Sequence, residues 1–142
     1  MDAAANRTYA IPIHPLHSIL LAGAVPLFLG GLLSDWAYSS TYQIQWSNMA
    51  AWLIAGAMVF VGLALLWALV DLVRSSRRGG RRLPYVIVLV ALFAAGLINS
   101  FVHARDAWAV MPQGLILSIV VTVLAIVALW LGHAGARAGG RR

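Results

Sequence analysis

Four long apolar runs, separated by short polar segments, restrict this chain to folds that satisfy their backbone hydrogen bonds without water. The runs cover about Leu16 to Leu33, Met49 to Val73, Pro84 to Val102 and Leu115 to Leu131. A helix needs roughly 20 apolar residues at 1.5 Å per residue to cross a ~30 Å hydrocarbon core, and each run is about that long. Inside lipid only helices and closed barrels leave no backbone group unpaired, and unbroken apolar runs of this length select the helix. The expectation is an all-α, integral membrane four-helix bundle built from antiparallel up-down hairpins. Residues 1–15 form an N-terminal segment, 16–133 the transmembrane domain and 134–142 a basic tail. In 142 residues no room remains for a large soluble domain. Charged residues make up 10% of the chain, against about 25% in soluble domains, so most of its surface faces something other than water.

The first run exceeds the roughly 7–15 residues of a secretory signal core and ends in LLSDW, so it reads as a retained span. Pro26 in its middle predicts a kink. Gly23, Gly30 and Gly31 in this run, and Ala51, Ala55, Gly56 and Gly62 in the second, offer surfaces for close helix contact. The segment from Ser34 to Trp46 reads as the first loop.

The net charge of +6 comes from ten arginines and four aspartates, with no lysine. In a soluble chain an isoelectric point near 11.2 suggests nucleic acid. Here the arginines lie between apolar runs and at the ends, so anionic lipid headgroups are their expected partner and nucleic acid is not. Arg74, Arg77, Arg78, Arg81 and Arg82 surround Gly79-Gly80 and mark a membrane-surface basic loop. With Arg7 and the tail arginines they fall on one side of the four spans, and Arg105 alone falls on the other. Basic residues in short loops stay inside, which predicts a multi-pass membrane protein with both termini cytoplasmic.

Depth then sorts the polar residues. His14, His17 and Asp71 lie at the inner level and form a candidate metal or cofactor site for a divalent metal or one axial side of haem b. The plainer reading there is an Asp71–Arg74 ion pair with interfacial histidines reaching water. Asp35, Asn99, His103, Arg105 and Asp106 lie at the outer level. Asn99, His103 and Asp106 follow i, i+4, i+7 spacing, one stripe of a continuous helix. A histidine between carboxylates can relay protons or bind metal. The plainer reading is a polar cap whose charges pair among themselves and lock the hairpins. Haem held by two histidines needs both at one depth; His17 and His133 are such a pair, but both sit at the interface.

There is no cysteine, which excludes disulfides and thiol catalysis. No Ser-His-Asp set shares one depth, and neither a phosphate-cradling loop nor HExxH occurs, so the reading leans against an enzyme. No run carries an ionisable residue near its centre, which leaves a transport path only at a seam between copies of a homo-oligomer.

HPLH opening the first span, LLSDW closing it, LVDLVR closing the second and NSFVHARDAW closing the third resemble the small bacterial membrane proteins grouped as domain of unknown function 2231. The likeness covers roughly residues 12 to 133. The family's His-Pro before span one and Asp at a span end map onto His14, Pro15, Asp35 and Asp71. Relatives often carry a further histidine early in span three; here that stretch reads LPYVIVLVAL and has none. Some relatives look like membrane modules attached to periplasmic dehydrogenases or cytochromes. The resemblance implies an anchor or accessory for a membrane or periplasmic redox partner. The residues leave two alternatives open: a haem- or metal-binding electron-transfer protein, and a small oligomeric transporter.

Overall fold

The structure, a computed structural model, describes residues 15–74 and 82–139. His14, Arg77, Arg78 and Arg81 lie outside the described residues, as does most of the N-terminal segment. The fold is all-α: α1 (Pro15–Thr41), α2 (Ile44–Arg74), α3 (Arg82–His103) and α4 (Gln113–Gly139), with a 3-10 turn at Ala107–Ala109 before α4. All four helices are long and apolar enough to cross a membrane. Their outward faces carry large apolar side chains such as Val59, Leu66, Ile87 and Val123, the surface a lipid solvent favours.

The second helix begins at Ile44 instead of near Met49, and the fourth runs past Leu131 to Gly139; a third difference decides where the site lies. Residues 34–41, read as loop, continue α1, and only Tyr42 and Gln43 separate it from α2. The stretch has no proline or glycine to stop a helix. Its hydroxyls bond back to carbonyls of the preceding turn: Ser39 and Ser40 donate to Trp36, and Thr41 donates to Ala37 at 2.7 Å. Tyr42, with φ 53°, then breaks the helix in the left-handed conformation, and its amide donates to the Tyr38 carbonyl at 2.8 Å. Asp35 is therefore well inside a helix and not at its end.

The buried seams are regular. On α1 they run His17, Leu21, Ala24, Phe28, Gly31, Asp35, Tyr38, and on α2 Ser47, Ala50, Ile54, Ala57, Val61, Ala64, Ala68. This alternation of three and four is the spacing of helices packed at a shallow crossing angle. Small residues let the backbones approach: a Cβ on Gly31 would lie 3.1 Å from Ile54 Cγ1. The helix α1 packs on α2 and α4, and α3 packs on the same two, so α1 and α3 face each other across the bundle axis. Pro26 lies within α1, which continues through it.

Polar links fix the register across that axis. His17 meets Tyr85, and Asp35 meets His103, each pair separated by 68 residues in sequence. A constant offset is what parallel helices give. An up-down-up-down order makes α1 and α3 parallel, and the two links tie them near opposite ends of the bundle.

Candidate functional site

At the end of the bundle away from Arg74, α1, α3 and α4 converge on one buried polar cluster. Asp35, Asn99 and Ser118 are 0% exposed, and His103 is 8% exposed. His103 Nε2 lies 2.8 Å from Asp35 Oδ1. The Ser118 hydroxyl donates to Asp35 Oδ2 at 2.5 Å, and the Asn99 amide donates to Ser118 Oγ at 3.0 Å. His103 Nδ1 lies 3.0 Å from the backbone carbonyl of Asn99, one turn back.

The partners settle the proton count. A carbonyl oxygen can only accept, so Nδ1 carries hydrogen and donates to it. The contact between Nε2 and Oδ1 then holds a single proton, which makes the pair imidazolium–carboxylate or imidazole–carboxylic acid. In both forms its net charge is zero, which is the cheap way to bury two ionisable groups at the edge of a hydrocarbon core. An imidazole engaged at both nitrogens has no lone pair left for a metal or haem iron. Among the described residues, no group of three or more His, Cys, Asp or Glu side chains is arranged to hold a metal ion.

Packing holds this geometry. The backbone of Gly114 passes so close to His103 that a Cβ there would lie 3.1 Å from its Cε1 and 2.6 Å from Val110 Cγ1. A larger residue would push the ring off Asp35. Asn99 Oδ1 is buried with no hydrogen-bond partner, so the cluster retains one unused acceptor next to its hydroxyl relay.

Arg105 and Asp106 do not join the cluster. The expected stripe needs α3 to continue past Asp106, but α3 ends at His103. The chain tightens there, with the Arg105 amide donating to Val102 at 3.2 Å, and turns outward. Arg105 and Asp106 are both exposed; Arg105 reaches Gln113 at 3.3 Å, and Asp106 precedes the 3-10 turn. The cap in which all the charges pair is thus reduced to Asp35 and His103. That turn carries aromatic surface instead. Tyr38 donates its hydroxyl to the Ala107 carbonyl at 3.1 Å, and Tyr42 stacks on Trp108 with ring centres 6.1 Å apart and planes 17° apart.

At the opposite end, His17 is buried at 4% exposure and does not reach water. Its Nε2 and the Tyr85 hydroxyl hydrogen-bond to each other, the Trp67 ring centre lies 6.4 Å away, and Nδ1 has no hydrogen-bond partner. Asp71 and Arg74 are exposed and line a groove. The expected ion pair between them is not formed: among the described residues Asp35–His103 is the one ion pair. His133 is exposed and donates Nδ1–H to the Leu129 carbonyl at 2.9 Å.

Three participants lie outside the set read from sequence: Ser118, Tyr38 and Tyr85. A signal for Ser118 exists, because Ser118 and Thr122 are hydroxyls one turn apart in a run of Ile, Val and Leu, at the depth of Asp35. Thr122 uses its hydroxyl on the Ser118 carbonyl at 2.6 Å. Tyr85 likewise shares the depth of His17, at the opening of span three.

The family described as predicted membrane protein (DUF2231) matches residues 13–139. No curated protein and no solved structure matches the chain.

Proposed function

We propose, from the premise that this chain belongs to the DUF2231 family of predicted membrane proteins, that it is a non-catalytic accessory module of the bacterial inner membrane. Both termini are cytoplasmic in this reading, and the Asp35 end faces outward toward a membrane or periplasmic redox partner. The observation that carries it is the contrast between the two layers of that end. Beneath lies a sealed, charge-neutral polar clamp joining three helices. Above it stands a fixed aromatic surface, in which Trp108 (76% exposed) and Tyr42 (60% exposed) stack on each other, while Trp36, beside Asp35 in sequence, is 65% exposed. A clamp buried to this degree, with both nitrogens of its imidazole engaged, suits a scaffold better than a catalyst. Exposed aromatics held by Tyr38 and by stacking suit a docking face, because little side-chain freedom is left to lose on binding.

The test is site-specific photo-cross-linking in intact cells. A cross-linker at Trp108 gives one discrete adduct containing a dehydrogenase, oxidase or cytochrome subunit, whereas one at the lipid-facing Val123 does not. Trp36→Ala with Trp108→Ala abolishes co-purification in mild detergent while leaving the chain in the membrane. Recovery of the chain alone, with no adduct at either position, overturns the reading.

A further inference from the structure

The other end of the bundle carries a feature that the accessory role does not use. Between the start of α1 and the end of α2 runs an open groove of about 520 Å³, walled by Leu20, Leu63, Leu66 and Val70 and ended by Asp71 and Arg74. A volume of this order is that of a small-molecule site. Its walls are apolar and face the hydrocarbon; its end carries one negative and one positive side chain, both exposed and not paired to each other. A carboxylate within the apolar run LWALVDLVR is costly at this depth unless something neutralises it.

We propose that this groove binds a phospholipid with a primary-amine headgroup, a phosphoethanolamine lipid, in the leaflet at this end of the bundle. An acyl chain lies along Leu63, Leu66 and Val70. The phosphate accepts hydrogen bonds from the Arg74 guanidinium, and the ammonium donates to the Asp71 carboxylate. The charges match term by term: the two side chains sum to zero, as does the headgroup. Asp71 and Arg74 are three residues apart and so neighbours on one helix face. Both side chains line the groove, and neither is paired to the other. Both charges then lie at similar depth, and the headgroup lies flat across them, its two-carbon bridge spanning the gap. Arg74 alone would suit any phosphate. Asp71 is what selects, since it repels an anionic headgroup and finds no N–H on a choline.

The selectivity is read by native mass spectrometry of the full-length protein in detergent, with dioleoyl phosphatidylethanolamine, its N-methyl and N,N-dimethyl derivatives, phosphatidylcholine and phosphatidylglycerol in turn. Retention of the ethanolamine lipid about tenfold above the choline lipid is expected, with the main drop at the last methylation, since the N-methyl and N,N-dimethyl headgroups each keep an N–H for the one charge-assisted hydrogen bond at stake. Asp71→Ala, which removes the acceptor, brings ethanolamine and choline lipids to near-equal retention, and Arg74→Gln weakens every phospholipid. The methylation series uses the unaltered chain, so it stands even where a variant fails to fold. Equal retention of ethanolamine and choline lipids, preferential retention of phosphatidylglycerol, or no retained lipid overturns the proposal.

Discussion

Asp35 is the residue on which the outer clamp depends, and its replacement separates hydrogen bonding from mere filling of space. Asp35→Ala removes both carboxylate oxygens. His103 Nε2 and the Ser118 hydroxyl, now at 2.8 Å and 2.5 Å from Asp35, are then left in a site with no water-exposed surface to turn to. Breaking one side of a buried pair costs about 3–5 kcal/mol in soluble proteins. Hydrogen bonds between membrane helices are worth less, about 1–2 kcal/mol each, because helices unfolded within the bilayer also find partners. With two bonds lost, the expected destabilisation is about 3 kcal/mol. Asp35→Asn behaves differently. Its amide can donate to Nε2 and its oxygen can accept from Ser118, so the network persists without the shared proton, at a cost of about 1 kcal/mol. The assay is reversible unfolding in mixed micelles, with His103→Ala and the double variant completing a cycle. The double variant should be more stable than the two single losses add up to, with a coupling of about 1–3 kcal/mol. Asp35→Ala within about 0.5 kcal/mol of the parent, or Asn and Ala variants equal in stability, would refute the clamp.

Gly114→Ala gains helix propensity of about 1 kcal/mol but drives a methyl into Val110 and His103, so a net loss of about 1–2 kcal/mol is expected by the same unfolding assay. That loss should shrink in the Asp35→Ala background, where His103 is no longer held. Tyr42 holds φ 53°, so Tyr42→Gly should be more stable than Tyr42→Ala by about 1 kcal/mol, although both lose the Trp108 stack. Thermal melts of the two variants check this. Tyr85→Phe leaves the buried His17 imidazole without its partner and should cost about 1–3 kcal/mol. Nitrogen-15 NMR should show the His103 resonances unchanged, because that ring sits at the far end of the bundle.

Hydropathy made the four spans legible, and depth made the separation of His17 from His103 legible, because both follow from the bilayer as a solvent. Packing faces were less so. In a run such as LILSIVVTVLAIVALWL nearly every position is apolar, so the buried seam cannot announce itself by hydrophobicity and is marked only by small and hydroxyl residues. Ser118, Thr122 and Ala125 fall on that seam, and reading them as packing markers would have placed Ser118 beside Asn99. Residues 34–41 look like a loop and are helix for the complementary reason. Ser, Tyr and Thr there lower hydropathy without ending a helix, since their hydroxyls bond back to the backbone. Hydropathy reports where lipid stops; helix ends are set by backbone chemistry, at Tyr42 and at the turn after His103. The first of those ends carries α1 beyond Asp35 and seals it in the bundle, and the second turns Arg105 and Asp106 away from it. Between them they convert five polar residues of similar depth into a closed Asp35–Asn99–His103 core completed by Ser118, with Arg105 and Asp106 outside it. Depth therefore nominates candidates for such a site, while helix termination removes Arg105 and Asp106 and the packing seam adds Ser118.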